Sequence, residues 1–251
     1  MRKIAICIVC RNAHHAWLKF LNSFTYYDVY VIVDNATLED LSHYQHVKII
    51  HINNDEVERN GFTNSSTSPK LPFFPKIIAW DKALYYFSQI NVQYQHVWFV
   101  EDDCFFISEN TLKNIDNQYE DTDLIVKDNA VNNEENPSGW HWSVINHLIK
   151  SPRCASLIQT CRLSKCLLQK IKSFANEKGQ LFFIESMFNT LAYQNNLKIV
   201  NPIELSKLSL SVYNDIPNVD EKYLYHAVKK IENHEVIRKK YIEKHSLFVK
   251  S

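Results

Sequence analysis

The sequence predicts an α/β fold built on a mostly parallel central sheet flanked by helices, and three observations carry that prediction. Short apolar runs recur at 3–10 (KIAICIVC), 28–33 (DVYVIV), 47–52 (VKIIHI), 96–101 (HVWFVE) and 122–127 (TDLIVK). Helix-like segments separate most of them, and strands alternating with helices are the pattern of a parallel sheet. The chain of 251 residues is 45% hydrophobic, which suffices for one large domain with a sizeable core.

Taken in order, the first run has a basic start and an apolar body like a secretory leader. It is too short for one and no small-residue cleavage site follows, so it reads as strand. Cys7 and Cys10 fall three apart on it and face opposite sides of a strand. The six cysteines (7, 10, 104, 154, 161, 166) form no paired CxxC knuckles and are expected to be reduced core thiols.

Helices are expected over 13–22, 75–90 (Pro75 suits a first turn), 163–176 and 185–195, each with apolar spacing that buries one face. The polar, turn-rich stretches 53–74 and 128–139 are expected to be loops inside the domain. From 221 onward the chain reads as a basic helical tail lying on the domain. No run of about 18 apolar residues exists, so no membrane span is expected, and the chain reads as cytoplasmic.

Lys plus Arg and Asp plus Glu are both 28, so no global field would gather nucleic acid or an anionic membrane. With only 3 glycines, neither GxGxxG nor GxxxxGK[ST] can be written anywhere. An anionic ligand must be held by other means.

The stretch HVWFVEDDCFF (96–106) sets Glu101, Asp102 and Asp103 between two apolar runs. Carboxylates in such surroundings cost several kcal/mol or more unless a cation answers them. They stand where a strand must end, and in open α/β sheets ligands collect at the carboxyl ends of strands. Hard divalent cations take oxygen ligands, and one or two carboxylates plus substrate phosphates are enough. The alternative is a turn cap after the strand.

A strand ending in VEDD followed by an apolar pair resembles the acidic DXD-type motif of GT-A glycosyltransferases, in the EDD form. Companions follow in the same order. VYVIVDN (29–35) resembles the second strand of the nucleotide-binding half, placing Asp34 against the base; the alternative is an Asx turn. CRNAHHAWLKFL (10–21) resembles the first strand-to-helix junction, with Arg11 toward base or diphosphate. Lys76, Asp81 and Lys82 lie on the helix leading into the acidic strand, which such enzymes use to touch the nucleotide sugar; a solvated helix face is the alternative.

The resemblance implies a GT-A-like fold with a Rossmann-like nucleotide-sugar-binding half at about 1–105, an acceptor half at about 106–220 and the tail at 221–251, all within one domain. It implies a Mn²⁺ or Mg²⁺ cofactor on Asp103, with Asp102 on the donor, and a UDP-sugar donor with a glycan or glycoprotein acceptor. His226 in YLYHAVKK (223–230) resembles the late histidine that completes the metal site, and Lys229, on the same side if the segment is helical, would face the diphosphate. In FFIESMFNTLAY (182–193) Glu185 resembles the general base of an inverting transfer, and a position at a helix N-terminus would keep it ionised. Trp140, His141 and Trp142 in GWHWSVINHL offer flat faces and a hydrogen-bonding ring to an acceptor sugar. Two rivals stay open: a sugar nucleotidyltransferase, and a carbohydrate- or partner-binding protein on the same fold without turnover.

Overall fold

In the computed structural model, residues 4–35, 43–66, 76–135, 142 and 145–248 are described. Strand β1 (Ile4–Cys10) is wholly buried and alternates its side chains between two cores, as a two-residue period demands. Ala5, Cys7 and Val9 join one core, while Ile6, Ile8 and Cys10 join the other. Strands β2 (Asp28–Val33), β3 (Val47–Ile50) and β4 (His96–Glu101) extend the sheet in parallel around it.

Seven strands form the main sheet in the order β3-β2-β1-β4-β8-β5-β9. Here β5 is Leu124–Ile125, β8 is Thr160–Ser164 and β9 is Ile199–Val200. Strand β8 runs antiparallel to both neighbours, so the sheet is parallel on one side and mixed on the other. Two small pairs complete the strands: β6 (Ala130–Asn132) with β7 (Arg153–Ala155), and β10 (Lys207–Leu208) with β11 (Tyr225–His226).

The helices are α1 (His15–Leu21), α2 (Asn54–Arg59), α3 (Ala79–Tyr85, continued by a wider turn to Ile90), α4 (Glu109–Gln118), α5 (Lys165–Lys178), α6 (Ile184–Gln194) and α7 (Glu232–Phe248). Helix α5 shows why such segments begin and end where they do. Ser164 Oγ accepts the Leu167 N–H at 3.1 Å at one end, and Gly179, with φ of 67°, closes the other through its N–H to the Ala175 carbonyl.

Four expectations need correction. The 53–74 stretch holds helix α2, capped by Asn53 Oδ1 on the Asp55 N–H at 2.7 Å. The 128–139 stretch contributes strand β6. Residues 221–231 are not helical: the segment pairs as strand, with the Phe105 and Tyr225 N–H groups exchanging 2.8 Å bonds with each other's carbonyls, and only from Glu232 does the tail become helix. Cys166 is exposed, whereas the other five cysteines are buried, and all six are free thiols. No helix among the described residues is long and apolar enough to cross a membrane.

Candidate active site

The register of the sheet builds the site. Val9 lies opposite Glu101 and Cys10 opposite Val33, so β1, β2 and β4 end together. The chain moves outward from β1 through β2 to β3 and then returns to β4 on the other side of β1, and such a reversal opens a crevice at the strands' carboxyl ends. A cleft of about 500 Å³, open to solvent, occupies that place. Its lining includes Arg11, Asp34, Trp80, Glu101, Asp102 and Asp103.

Glu101 and Asp103 sit two apart at a strand end and face the same space, where they meet His226 from β11. One ligating atom from each of these three residues lies within 4.8 Å of the others. His226 Nε2 is 3.3 Å from Asp103 Oδ1 and 4.0 Å from Glu101 Oε2. The His226 Nδ1 stands 2.5 Å from the Ser209 carbonyl, which only accepts, so Nδ1 carries a proton and Nε2 turns toward the carboxylates. Asp103 Oδ1 is buried and accepts no hydrogen bond from the described residues. Lys229 pairs with the other oxygen of Asp103, and the Trp80 indole donates to Glu101 Oε1 at 3.0 Å.

Electrostatics mark a surplus of negative charge. Burial, with the like charges of Asp103 and Asp102 added, pushes Glu101 up to about 7 although Trp80 and His226 favour its ionised form. Burial and the charge of Asp103 push Asp102 up to about 6. For Asp103 burial works upward too, but His226 and Lys229 outweigh it and hold the carboxyl below its ordinary value. Two carboxylate oxygens and an imidazole nitrogen, with the buried Asp103 oxygen facing only that imidazole among the described residues, fit a hard or borderline divalent cation such as Mn²⁺ or Mg²⁺.

The fold distributes the other expected residues unevenly. Arg11, Asp34, Asp102 and Asp103 come together on the cleft. Asp34 Oδ1 is buried without a hydrogen-bond partner among the described residues, and burial raises its pKa against the pull of Lys82, the Ala79 N–H and Arg11. Lys82 lies beneath, 97% buried, with Nζ donating to the Asp34 carbonyl at 2.8 Å. Asp81 is fully buried and spends its carboxylate on the Ile78 and Ser65 N–H groups at 2.9 and 3.0 Å, which anchors the start of α3. Lys76 lies before the start of α3, not on the helix as expected, and pairs with Glu58 on the surface. Lys229 reaches the site from extended chain and not from a helix.

Trp140 and His141 lie outside the described residues; Trp142 is half-buried and packs against the core. Glu185 is the second residue of α6, one turn before Phe188, whose ring centre is 6.0 Å from that of Trp80. The helix start does not keep it ionised: burial first, then the charge of Asp128, pushes it up to about 7. Sequence reasoning placed the metal on Asp103 and His226 and passed over Glu101. The signal was present, since residues two apart on a strand share a face.

No protein-family description matches the chain, and no curated protein matches it in sequence. Solved structures do. The galactosyltransferase LgtC, in complex with donor and acceptor sugar analogues, overlays 94% of this chain and 95% of its own at a TM-score of 0.50 and 8% identity. The WbbM bifunctional glycosyltransferase matches 95% of this chain at a TM-score of 0.49 and 11% identity. The mannosyltransferase Ktr4p from S. cerevisiae matches 76% at a TM-score of 0.40 and 12% identity. The chain spans 44% of the length of WbbM and 65% of that of Ktr4p. The overlay with LgtC establishes the architecture: a GT-A fold, with a mixed seven-stranded sheet between helices.

Proposed function

We propose that the protein is a metal-dependent glycosyltransferase moving a sugar from a nucleoside-diphosphate donor, UDP-sugar favoured, to a hydroxyl of a glycan or glycoprotein. The observation that carries this reading is the convergence of Glu101, Asp103 and His226 beside a cleft at three parallel strand ends, where three carboxylates face one lysine and one imidazole. A diphosphate brings further negative charge to that place, so the donor and a cation must arrive together. Glu101, Asp103 and His226 would hold the ion, which when bound supplies charge stabilisation to the departing diphosphate.

The chain's own groups do the rest. Asp34 Oδ1 offers an acceptor to an N–H or O–H of the nucleoside, with Lys82 propping its strand end from below. Arg11 and Asp102 flank the same cleft, and Lys229, now on Asp103, is assigned to the donor phosphate, a role its exposed ammonium supports. Lys76, before the start of α3, and the segment Trp140, His141 and Trp142 are assigned to donor and acceptor contacts respectively. Asp81 serves the donor only indirectly, by fixing the start of α3.

Glu185 is assigned as the base that takes the proton of the acceptor hydroxyl, giving inversion at the anomeric carbon. A carboxyl titrating at about 7 is well matched to proton transfer near neutrality. Incubation with a panel of UDP- and GDP-sugars and Mn²⁺ should release nucleoside diphosphate and lose that release on chelation. Donor binding without release would leave a binding protein on this fold, and release unaffected by chelators would overturn the metal assignment. A product of retained configuration would remove Glu185 from the role of base.

A further inference from the structure

The two halves of the candidate metal site come from distant parts of the chain. Glu101 and Asp103 end a central strand, whereas His226 sits on a segment with little regular structure of its own. Something must hold that segment in register, because a ligand loose by an ångström loses much of its affinity. Backbone pairing does part of this: the Val228 N–H donates to the Asp103 carbonyl at 2.7 Å, beside the Phe105–Tyr225 pair.

Helix α7 contributes the rest from a single turn. Arg238 donates through Nε and Nη2 to the Phe106 carbonyl at 3.2 and 3.0 Å, three residues past Asp103. His234, one turn earlier, lies with Nε2 3.1 Å from the Val228 carbonyl, two residues past His226. A carbonyl accepts only, so that nitrogen is the donor. Both side chains are buried, and neither has a carboxylate partner among the described hydrogen bonds and ion pairs. The guanidinium stands 3.5 Å from the centre of the Phe20 ring and 4.9 Å from that of Phe105. The imidazole meets Trp17 and Phe105 edge-on at 5.4 and 5.6 Å. Trp17 in turn donates its indole N–H to the Asp102 carbonyl at 2.5 Å. Burying a guanidinium on a neutral carbonyl is a costly way to hold a helix down, and greasy side chains would pack there more cheaply. What the polar pair adds is direction, since each donor fixes one carbonyl.

We propose that Arg238 and His234 are positioning residues, forming a clasp on α7 that sets the metal affinity of Glu101, Asp103 and His226 without supplying a ligand. The proposal rests on the metal-site reading above. Groups hydrogen-bonded to the ligands themselves typically change metal affinity about 10- to 100-fold, and a clasp acting through the backbone should fall at the lower end of that range.

The test measures Mn²⁺ affinity by electron paramagnetic resonance and, on the metal-free protein, amide exchange at Tyr225 and Val228 against Ile6 and Ile8 of β1. In Arg238→Met, Mn²⁺ binding should weaken about tenfold or more and the Tyr225 and Val228 amides should lose protection while those of β1 keep theirs. Arg238→Lys, which keeps a cation and a donor, should recover most of both. If Arg238→Met also exposes β1, His234→Phe decides on the same readings, since it keeps a ring in the stack and deletes only the bond to Val228. Unchanged Mn²⁺ affinity and unchanged exchange in the deciding variant would overturn the clasp. Failure of the wild-type protein to bind Mn²⁺ would instead remove the metal reading and this proposal with it, whatever the exchange data show.

Discussion

Strand β4 carries two charge clusters, one buried and one half-buried, and they are built on opposite principles. Beneath the sheet, Asp116 on α4 receives Arg162 Nη1 at 2.5 Å, the Trp98 indole at 3.1 Å and the Tyr27 hydroxyl at 2.5 Å. One acid meets one base, and both carboxylate oxygens are spoken for. At the strand's end, three acids, Glu101, Asp102 and Asp103, meet one lysine, Lys229, and one imidazole, which among the described residues is all that faces the buried oxygen of Asp103. Desolvation raises carboxyl pKa values in both clusters, so it cannot by itself be what marks a site. The mark is charge that the protein leaves unbalanced.

Mutation should separate the two clusters. Asp103→Ala should lower donor turnover about a thousandfold or more, because the several kcal/mol of charge stabilisation at the diphosphate goes with the ion. Its thermal midpoint should fall by only a few degrees, since losing the pairs with His226 and the largely exposed Lys229 is partly offset by relieved repulsion with Glu101 and Asp102. Asp116→Asn should do the reverse: about 3–5 kcal/mol of stability lost through the orphaned Arg162, with the folded fraction binding Mn²⁺ as before. Urea melts and Mn²⁺ titrations of the two variants measure this contrast directly. Equal destabilisation by both would mean that the acidic triplet is as structural as Asp116.

Glu185→Gln should cost about a hundredfold or more in transfer while leaving donor affinity unchanged, the split expected when a proton acceptor is lost. A KM that rises with kcat unaltered would assign Glu185 to binding. Trp80→Phe sharpens the comparison from within the open cluster. It keeps a ring near Phe99 and Phe188, whose centres are 5.8 and 6.0 Å away, and removes the single hydrogen bond to Glu101. Mn²⁺ affinity should fall about tenfold; an unchanged value would show that Glu101 needs no orientation.

The same contrast explains what was legible in the sequence. Strands β1, β2 and β4 stood out because each is an apolar run that one face or both must bury, and the acidic triplet stood out because it interrupts such a run. Strand β8 (TCRLS) is not announced by its sequence: its Arg162 is fully buried, which Asp116, 46 positions earlier, and the Tyr119 and Thr122 carbonyls make tolerable. No local pattern announces a partner at that distance. The 221–231 segment was read as helix for a related reason, since its residues pair with Phe105 and with β10, both far away in sequence. Helix α2 offered a readable cap in Asn53 and an acidic first turn, but it buries only Val57 and so shows no apolar period. His226 could be named from its neighbourhood; its tautomer could not, because that depends on the Ser209 carbonyl.

The smallest expected effect tests how the open cluster extends to the acceptor side. Asn189, one turn past Glu185 on α6, donates to the Asp128 carbonyl at 3.1 Å and to Asn129 Oδ1 at 2.7 Å, which fixes that loop beside the helix face carrying Glu185. Asp128 thereby adds a like charge to the effect of burial, and both raise Glu185 to about 7 from 4.5. If Glu185 acts as base, transfer should rise with pH through about 7. Asp128→Asn removes one of the two causes, so the rising limb should move to lower pH without returning to the ordinary value, since burial remains. Stability supplies a check independent of turnover. A carboxyl whose pKa is higher folded than unfolded stabilises fully below about 4.5 and loses that contribution as pH climbs toward 7, because the native state holds the proton longer. The loss should be smaller in Asp128→Asn and absent in Glu185→Gln. A limb that stays in place, or moves to higher pH, would show that Asp128 does not govern Glu185 and that the surplus of negative charge ends at the metal site.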